Sequence, residues 1–139
     1  MNITYSHTIA PEEYNALRLS VGWEAIETGL AAKGLQNTAF IVCARDGEKA
    51  VGTARVITDY GYVVYIADVI VRPEYQGQGL GKEIMARIMD YIRQNTAPGQ
   101  RKFVNLMAKK GTEPFYEKLG LLKRPTEDQG CGMTMWIKK

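Results

Sequence analysis

Three glycines at alternate positions, Gly77, Gly79 and Gly81, lie between two apolar segments and limit how this chain can fold. The segment before them, from Tyr62 to Val71, is almost wholly apolar, which predicts a long buried strand. The segment after them has apolar residues at helical spacing from Leu80 to about Gln94, which predicts an amphipathic helix. The chain therefore turns from a strand into a helix through backbone that lacks side chains at alternate positions.

The rest of the sequence predicts a single soluble domain in which helices cover a mixed sheet. The chain has 139 residues, 45% hydrophobic and 24% charged, without repeats or a linker. Before the glycines we expect strands at 3–9, 38–44 and 50–57, with two helical stretches between the first two strands. After the helix at 80–94 we expect a buried strand at 103–107, a short helix at 114–119 and a last strand at 133–137.

Charge, cysteines and hydropathy exclude several classes of function. Eighteen basic and fifteen acidic residues give a net charge of +3, which is too small to indicate a nucleic-acid partner. Cys43, Cys131 and the only histidine, His7, lack metal-ligand spacing, so no metal is expected. No apolar run approaches the roughly 20 residues of a membrane span, and the N-terminus does not resemble a signal peptide. We therefore expect a cytoplasmic protein without a membrane partner.

The glycine segment has the chemistry of an anion-binding cradle. Glycines allow the backbone to turn tightly and point successive N–H groups outward, at the positive end of the following helix dipole. A P-loop is excluded because Gln76 stands where it needs glycine and Glu83 where it needs Ser or Thr. Lys82 occupies the third glycine position of the dinucleotide fingerprint, which is excluded too. Phosphate binding is the prediction, and a glycine-rich turn without a ligand is the alternative.

Two motifs resemble the GNAT superfamily of N-acetyltransferases. The segment from Gln76 to Gly81, QGQGLG, is similar to the family signature (Arg/Gln)-x-x-Gly-x-(Gly/Ala). The segment from Pro114 to Leu121, PFYEKLGL, resembles the late helix of the family. The order of elements also resembles the GNAT layout, so residues 1–139 are interpreted as one such domain. The resemblance implies an α/β (α+β) fold: a mixed, mostly antiparallel sheet of six to seven strands, about four helices and a V-shaped splay between strands 4 and 5.

The resemblance also implies acetyl-CoA as co-substrate, without a metal. The backbone of the strand before the cradle, at Ile70 and Val71, would pair with the pantetheine arm, and the splay would hold the thioester. Asn105 would hydrogen-bond the arm, or would be merely packed or capped. Backbone amides would bind the pyrophosphate over the whole cradle, which comprises Gln76, Gly77, Gln78, Gly79, Leu80, Gly81 and Lys82.

The implied reaction is direct attack of a primary amine of a small molecule on the acetyl thioester. Tyr116 matches the family's general acid, or is a core tyrosine whose hydroxyl is satisfied. Asp68 is an ionisable group inside an apolar strand, where an unpaired charge is costly, so it is a candidate general base or an anchor for a neighbouring strand or loop. Glu24 is a second candidate base. Trp23 and Tyr65 would shape the acceptor pocket, or pack in the core.

Several alternatives stay open at this level. The alternatives are acetylation of a protein N-terminus or lysine, and a CoA-binding regulatory module with little catalysis. Arg18, Arg55 and Arg124 would each suit an acidic acceptor, or are simply solvated. The C-terminal strands would support a homodimer.

Overall fold

The computed structural model describes all 139 residues, which form two compact units, residues 1–105 and residues 106–139. That the chain is a single domain stays a prediction. The second unit contains one helix, α4 (Glu113–Glu117). The first unit contains the remaining elements: β1 (Ile3–Ser6), α1 (Pro11–Ser20), α2 (Thr28–Gln36), β2 (Phe40–Asp46), β3 (Lys49–Thr58), β4 (Val63–Val71), a 3₁₀ turn (Pro73–Tyr75), α3 (Leu80–Gln94) and β5 (Phe103–Asn105).

The five strands form one sheet in the order β1-β2-β3-β4-β5. The first four strands pair antiparallel, and β5 pairs parallel to β4. The predicted mixed, mostly antiparallel fold with four helices is confirmed, but the sheet has five strands and not six to seven. Strand β5 pairs with β4 only over residues 63–65, whereas β4 continues to Val71. Beyond residue 65, β4 pairs with a neighbouring strand, β3, on one side only.

The helices begin and end at residues that the sequence marks. Pro11 starts α1, and the Glu13 carboxylate accepts a hydrogen bond from the Ala10 N–H at 3.0 Å. The chain breaks between α1 and α2 at Gly22, where φ is +82°. The Glu27 carboxylate caps α2 by accepting from two amides of its first turn. The longest helix, α3, has 15 residues, and none of the helices combines the length and apolar character that a bilayer span requires.

Helices cover both faces of the sheet. Adjacent strand residues point to opposite faces, and Phe40 and Ile41 illustrate this at the start of β2. The Phe40 ring stacks on Tyr91 of α3 with centroids 4.3 Å apart, while Ile41 lies in the core cluster with Leu17 of α1. The buried face of α3 consists of Leu80, Ile84, Met85, Ile88 and Ile92.

Strand β4 carries one extra residue opposite β3. Thr53 pairs with Ile70 and Arg55 with Ala67, so β3 advances two residues while β4 advances three. This bulge contains Asp68, whose φ of +55° lies in the left-handed region. For a residue other than glycine that conformation costs about 1 kcal/mol, so surrounding contacts must stabilise it.

Two strands predicted in the second half differ in the structure. Strand β5 ends at Asn105 rather than at residue 107, and Phe103 is 46% exposed, so the strand is not wholly buried. Residues 133–137 form no strand. Four of these five residues are apolar, but apolar composition indicates a strand only where a neighbouring strand supplies the hydrogen bonds, and Met133 and Ile137 remain exposed.

The close packing of α3 on the sheet depends on Gly52. A Cβ atom there would lie 2.9 Å from Ile84 Cδ1 and 3.1 Å from the Ile70 carbonyl oxygen. We expect Gly52→Ala to lower the free energy of unfolding by about 1–3 kcal/mol through overpacking. Gly34, inside α2, is the matched control, because a Cβ there meets nothing closer than 3.9 Å.

We expect Gly34→Ala to raise the free energy of unfolding by about 0.5–1 kcal/mol, since alanine favours a helix interior. Urea unfolding of both variants measures the two effects. Equal stability of the Gly52 variant and the unchanged protein would contradict the packing argument.

Candidate active site

The turn between β4 and α3 is built by left-handed glycines. Gly77 and Gly79 have φ of +76° and +87°, and the second is the N-cap of α3. Added Cβ atoms at these two positions would meet nothing within 4 Å, so open space surrounds this backbone. A strand-to-helix turn of this kind exposes main-chain groups to an incoming ligand.

The cradle presents six consecutive backbone donors. None of the amide N–H groups of residues 77–82 has a hydrogen-bond acceptor in the chain. The helix dipole of α3 adds positive potential at the same place. By contrast, carboxylates of Glu13 and Glu27 accept hydrogen bonds at the N-termini of α1 and α2. The cradle is therefore arranged to bind an anion from outside the chain.

Side chains at the cradle leave these donors uncovered. Gln76 Nε2 donates to the Val71 carbonyl at 2.9 Å, and Gln78 Nε2 donates to the Glu74 carbonyl at 3.3 Å. The side chain of Lys82 is exposed and adds a positive charge in the first turn of α3. Leu80 is buried and fixes the first turn of the helix on the core.

The edge of β4 is open next to the cradle. Residues 66, 67, 70 and 71 pair with β3 on one side, and none of residues 66–71 has a β5 partner on the other. Of the two residues predicted to pair with the cofactor, Ile70 is buried and Val71 half-buried. Where the parallel pairing ends, Asn105 Nδ2 donates to the Phe103 carbonyl at 3.0 Å. The Asn105 amide is thus partly held by backbone, and its oxygen receives no hydrogen bond.

Asp68 is the centre of a half-buried ionic cluster. Its Oδ1 lies 3.1 Å from Arg18 Nη1, and its Oδ2 lies 2.7 Å from Arg55 Nε. The Tyr14 hydroxyl donates to the same Oδ2 at 2.8 Å. The carboxylate therefore connects α1, β3 and the bulge of β4, which stabilises the left-handed backbone at Asp68 and favours its role as an anchor.

Two tyrosines near this cluster have altered acidity. Burial, and then the negative charge of Asp68, raises the pKa of the Tyr14 phenol above its ordinary value. The same two causes raise the pKa of Tyr65, which lies three residues before Asp68 in β4. Both phenols therefore remain protonated over a wider pH range than free tyrosine.

The residues predicted at the break between α1 and α2 lie beside this cluster. The Trp23 ring is half-buried and lies 5.3 Å from Arg18 Cζ, which is a cation–π distance. The Glu24 carbonyl accepts a hydrogen bond from Arg18 Nε at 2.8 Å, while the Glu24 side chain is exposed. The structure thus brings Trp23, Glu24 and Asp68 together around Arg18.

Tyr116 lies in α4 of the second unit. Its side chain is buried, it makes an edge-to-face contact with Phe115, and burial raises the pKa of its phenol. No hydrogen bond to its hydroxyl is found, yet no buried side-chain oxygen lacks a partner, so the hydroxyl itself reaches the surface. This is not the satisfied hydroxyl of an ordinary core tyrosine.

Sequence reasoning missed the partners of Asp68. Nothing in the sequence marked Tyr14 as a functional residue. Nothing distinguished Arg18 and Arg55 from ordinary solvent-exposed arginines. In the structure the side chains of both arginines are less than one-fifth exposed. Their positions, 50 and 13 residues from Asp68, give no local pattern, and only the cost of an unpaired charge in β4 predicts that partners exist.

The sequence matches the Acetyltransferase (GNAT) family over residues 7–121. It is 32% identical over 115 residues to an uncharacterized N-acetyltransferase, ycf52, from Pyropia yezoensis; the match covers 80% of this chain and 64% of the relative. It is 34% identical over 99 residues to GCN5-related N-acetyltransferase 2, chloroplastic, from Arabidopsis thaliana, covering 68% of this chain and 36% of that protein. The chain therefore spans less than two thirds of the length of these relatives.

Solved structures agree with this assignment. A protein of unknown function from meticillin-resistant Staphylococcus aureus, described as a probable acetyltransferase, superposes with a TM-score of 0.87 at 34% identity. The superposition covers 98% of this chain and all of the other. With the family match extending over most of the sequence and the fold in agreement, the chain belongs to the GNAT family of acetyltransferases.

Proposed function

We propose that the protein is an acetyl-CoA-dependent N-acetyltransferase whose acceptor is the primary amine of a small molecule. The observation that carries this proposal is the row of six free amides at residues 77–82, directly after a strand whose edge is open. A diphosphate needs several convergent donors, and each charge-assisted bond contributes roughly 1.5–3 kcal/mol.

The residues present fit the pyrophosphate and the pantetheine arm of acetyl-CoA. The cradle amides would hold the pyrophosphate, and the open edge of β4 would pair with the pantetheine arm as an added strand does. The six residues from Ile66 to Val71, which include the bulge at Asp68, leave the arm room between the cradle and the end of β5. The free oxygen of Asn105 would accept a hydrogen bond from the arm at that end.

When bound, acetyl-CoA supplies a thioester carbonyl that an amine can attack. The proposed role of Tyr116 is to donate a proton to the departing sulfur. A thiol has a pKa of about 8.5 and a phenol about 10, so the phenol is protonated at neutral pH and can be regenerated afterwards. Burial raises the pKa of Tyr116 further, and its unpartnered hydroxyl is available to donate.

The attacking amine must also lose a proton. An alkylamine has a pKa of about 10.4, so only about one molecule in a thousand is neutral at pH 7. Both oxygens of Asp68 already accept hydrogen bonds, which leaves it poorly suited to take that proton. Glu24 has an exposed carboxylate without an ion-pair partner beside the same cluster, and we propose it as the base, directly or through water.

Two alternatives lead to different experiments. Acetylation of a protein N-terminus or lysine predicts turnover on peptides and none on small amines. A CoA-binding regulatory module predicts binding without thiol release on any amine. The proposal assumes a cytoplasmic protein, monomeric or homodimeric, and sedimentation with cell fractionation tests these assumptions.

Replacing Gly79 tests the cradle. Gly79→Ala places a Cβ on left-handed backbone at the N-cap of α3, so we expect strain of about 1 kcal/mol and at least tenfold weaker CoA binding by titration calorimetry. Gly47 is the matched control, because it also has a positive φ, +61°, and open space around it in the β2–β3 turn.

Gly47→Ala is expected to lose similar stability and to keep its CoA affinity. If the two variants bind CoA equally, the cradle is not the pyrophosphate site. If the unchanged protein shows no heat with CoA, the proposed function is wrong.

Removing the Tyr116 hydroxyl tests the proton donor. We expect Tyr116→Phe to lower turnover at least tenfold, because positioned proton transfer contributes roughly 10²–10⁴-fold, with nearly unchanged CoA affinity. Since the raised pKa keeps the phenol protonated below about pH 10, the defect should be constant from about pH 7 to pH 9. Thiol-release assays measure both.

Tyr60→Phe provides the control, because Tyr60 is 75% exposed in the β3–β4 turn. Full turnover in the Tyr116 variant would exclude this tyrosine from the mechanism.

A further inference from the structure

The ionic cluster at Asp68 carries an excess of positive charge. Two guanidinium groups, those of Arg18 and Arg55, share one carboxylate, and their side chains are 11% and 16% exposed. Two other acidic side chains, those of Glu24 and Glu27, do not pair with these arginines. Glu24 makes no ion pair, and Glu27 accepts from the amides of Gly29 and Leu30 instead. A partly buried charge without a counterion is energetically unfavourable. An anion from outside the chain would therefore stabilise the two guanidinium groups.

Each of these guanidinium groups also keeps one nitrogen free. Arg18 uses Nη1 on Asp68 and Nε on the Glu24 carbonyl. Arg55 uses Nε on Asp68, and Nη1 on Thr38 Oγ1 at 2.8 Å and on the Gly34 carbonyl at 3.4 Å. Neither Nη2 has a partner. Because no buried side-chain nitrogen of the chain lacks one, both Nη2 atoms reach the surface.

The cluster is held rigidly by its surroundings. The guanidinium of Arg18 lies over the rings of Tyr14 and Trp23, and that of Arg55 also lies over Tyr14. The ring contacts and hydrogen bonds restrict the freedom of each guanidinium. Each guanidinium therefore keeps one terminal nitrogen accessible with its N–H donors unused, and arginine N–H donors of this kind recognise a carboxylate or a phosphate.

The cluster also lies next to the place where the acceptor must react. Strand β5 stops pairing with β4 at Tyr65, and Asp68 follows three residues later, about 10 Å along an extended strand. The negative charge of Asp68 contributes, after burial, to the raised pKa of the Tyr65 phenol. A small molecule whose amine reaches the end of the open edge would bring its other end to this cluster.

We propose that Arg18 and Arg55 bind an anionic group of the acceptor through their free Nη2 atoms, so that the preferred substrates are amines that carry a carboxylate or a phosphate. The position of the amine rests on the proposed function, whereas the anion site itself depends only on the cluster.

Matched acceptors test the preference with the unchanged protein. Phosphoethanolamine is compared with ethanolamine, and β-alanine with 3-aminopropanol, at saturating acetyl-CoA in a thiol-release assay. We expect kcat/KM to be at least about tenfold higher for the anionic member of one or both pairs, chiefly through a lower KM. The pair with the larger ratio identifies phosphate or carboxylate as the group. If neutral acceptors are used equally well or better, the proposal is wrong while the proposed function stands.

Charge-conserving variants assign the preference to the two arginines. Lysine keeps the positive charge but has one nitrogen where arginine has three, so Arg18→Lys and Arg55→Lys should each reduce the anionic-to-neutral ratio at least threefold. The rate with the neutral acceptor should change much less. Arg45→Lys is the matched control, because Arg45 forms a comparable ion pair with Glu13 and should leave the ratio unchanged. An unchanged ratio in both cluster variants would contradict the assignment.

A binding measurement separates this proposal from the proposed function. Trp23 lies beside Arg18, so its fluorescence in a Trp136→Phe background should change saturably with inorganic phosphate or acetate at constant ionic strength, without acetyl-CoA. Arg18→Lys in that background should weaken the response, and circular dichroism should confirm its fold. A saturable response without CoA binding would support the anion site and reject the acetyltransferase. Absence of any saturable response to either anion would overturn the anion site.

Discussion

One half-buried carboxylate connects the three elements around which the first unit is organised. Asp68 accepts hydrogen bonds from α1 and β3 while lying in a bulge of β4. Without these donors its left-handed backbone and its charge would both be unfavourable, and the bulge would lose its support. The same contacts fix the two arginines, so the network that stabilises the bulge also creates an anion-binding surface. The structural role and the proposed binding role belong to the same two side chains, although they use different nitrogens of each guanidinium group.

The two halves of the proposed substrate site use different chemistry. At the cradle the donors are main-chain amides, which are held by the turn and by packing of Leu80 and Ile84 on the sheet. At the ionic cluster the donors are long side chains, which are held by aromatic rings and by one carboxylate. Main-chain donors suit the pyrophosphate, which every CoA thioester carries. Side-chain donors can be changed by substitution, so we expect acceptor preference within the family to vary at the ionic cluster.

Local features of the sequence predicted most of the fold. The glycine junction and α3 were predictable because turn chemistry and helical periodicity act over a few residues. Asp68 was recognisable as unusual because a charge inside an apolar strand needs partners, but the partners come from 54, 50 and 13 residues away and leave no local pattern. The strand expected at 133–137 is wrong for a related reason: apolar composition describes a segment, whereas a strand also requires a neighbouring strand. The roles of Tyr116, Glu24 and Asn105 in catalysis and binding stay predictions.

A cradle made of main-chain amides also affects how such a site can be found by mutagenesis. Gln76, Gln78 and Lys82 contribute exposed side chains to the turn, while the donors belong to the peptide units between them. Alanine substitutions at these three residues remove side chains and leave the peptide units in place. Such substitutions would therefore change ligand binding little and would not identify the binding surface. Changes that alter the backbone are needed to reveal it, such as a side chain at a left-handed glycine, proline in place of a donor residue or a backbone ester.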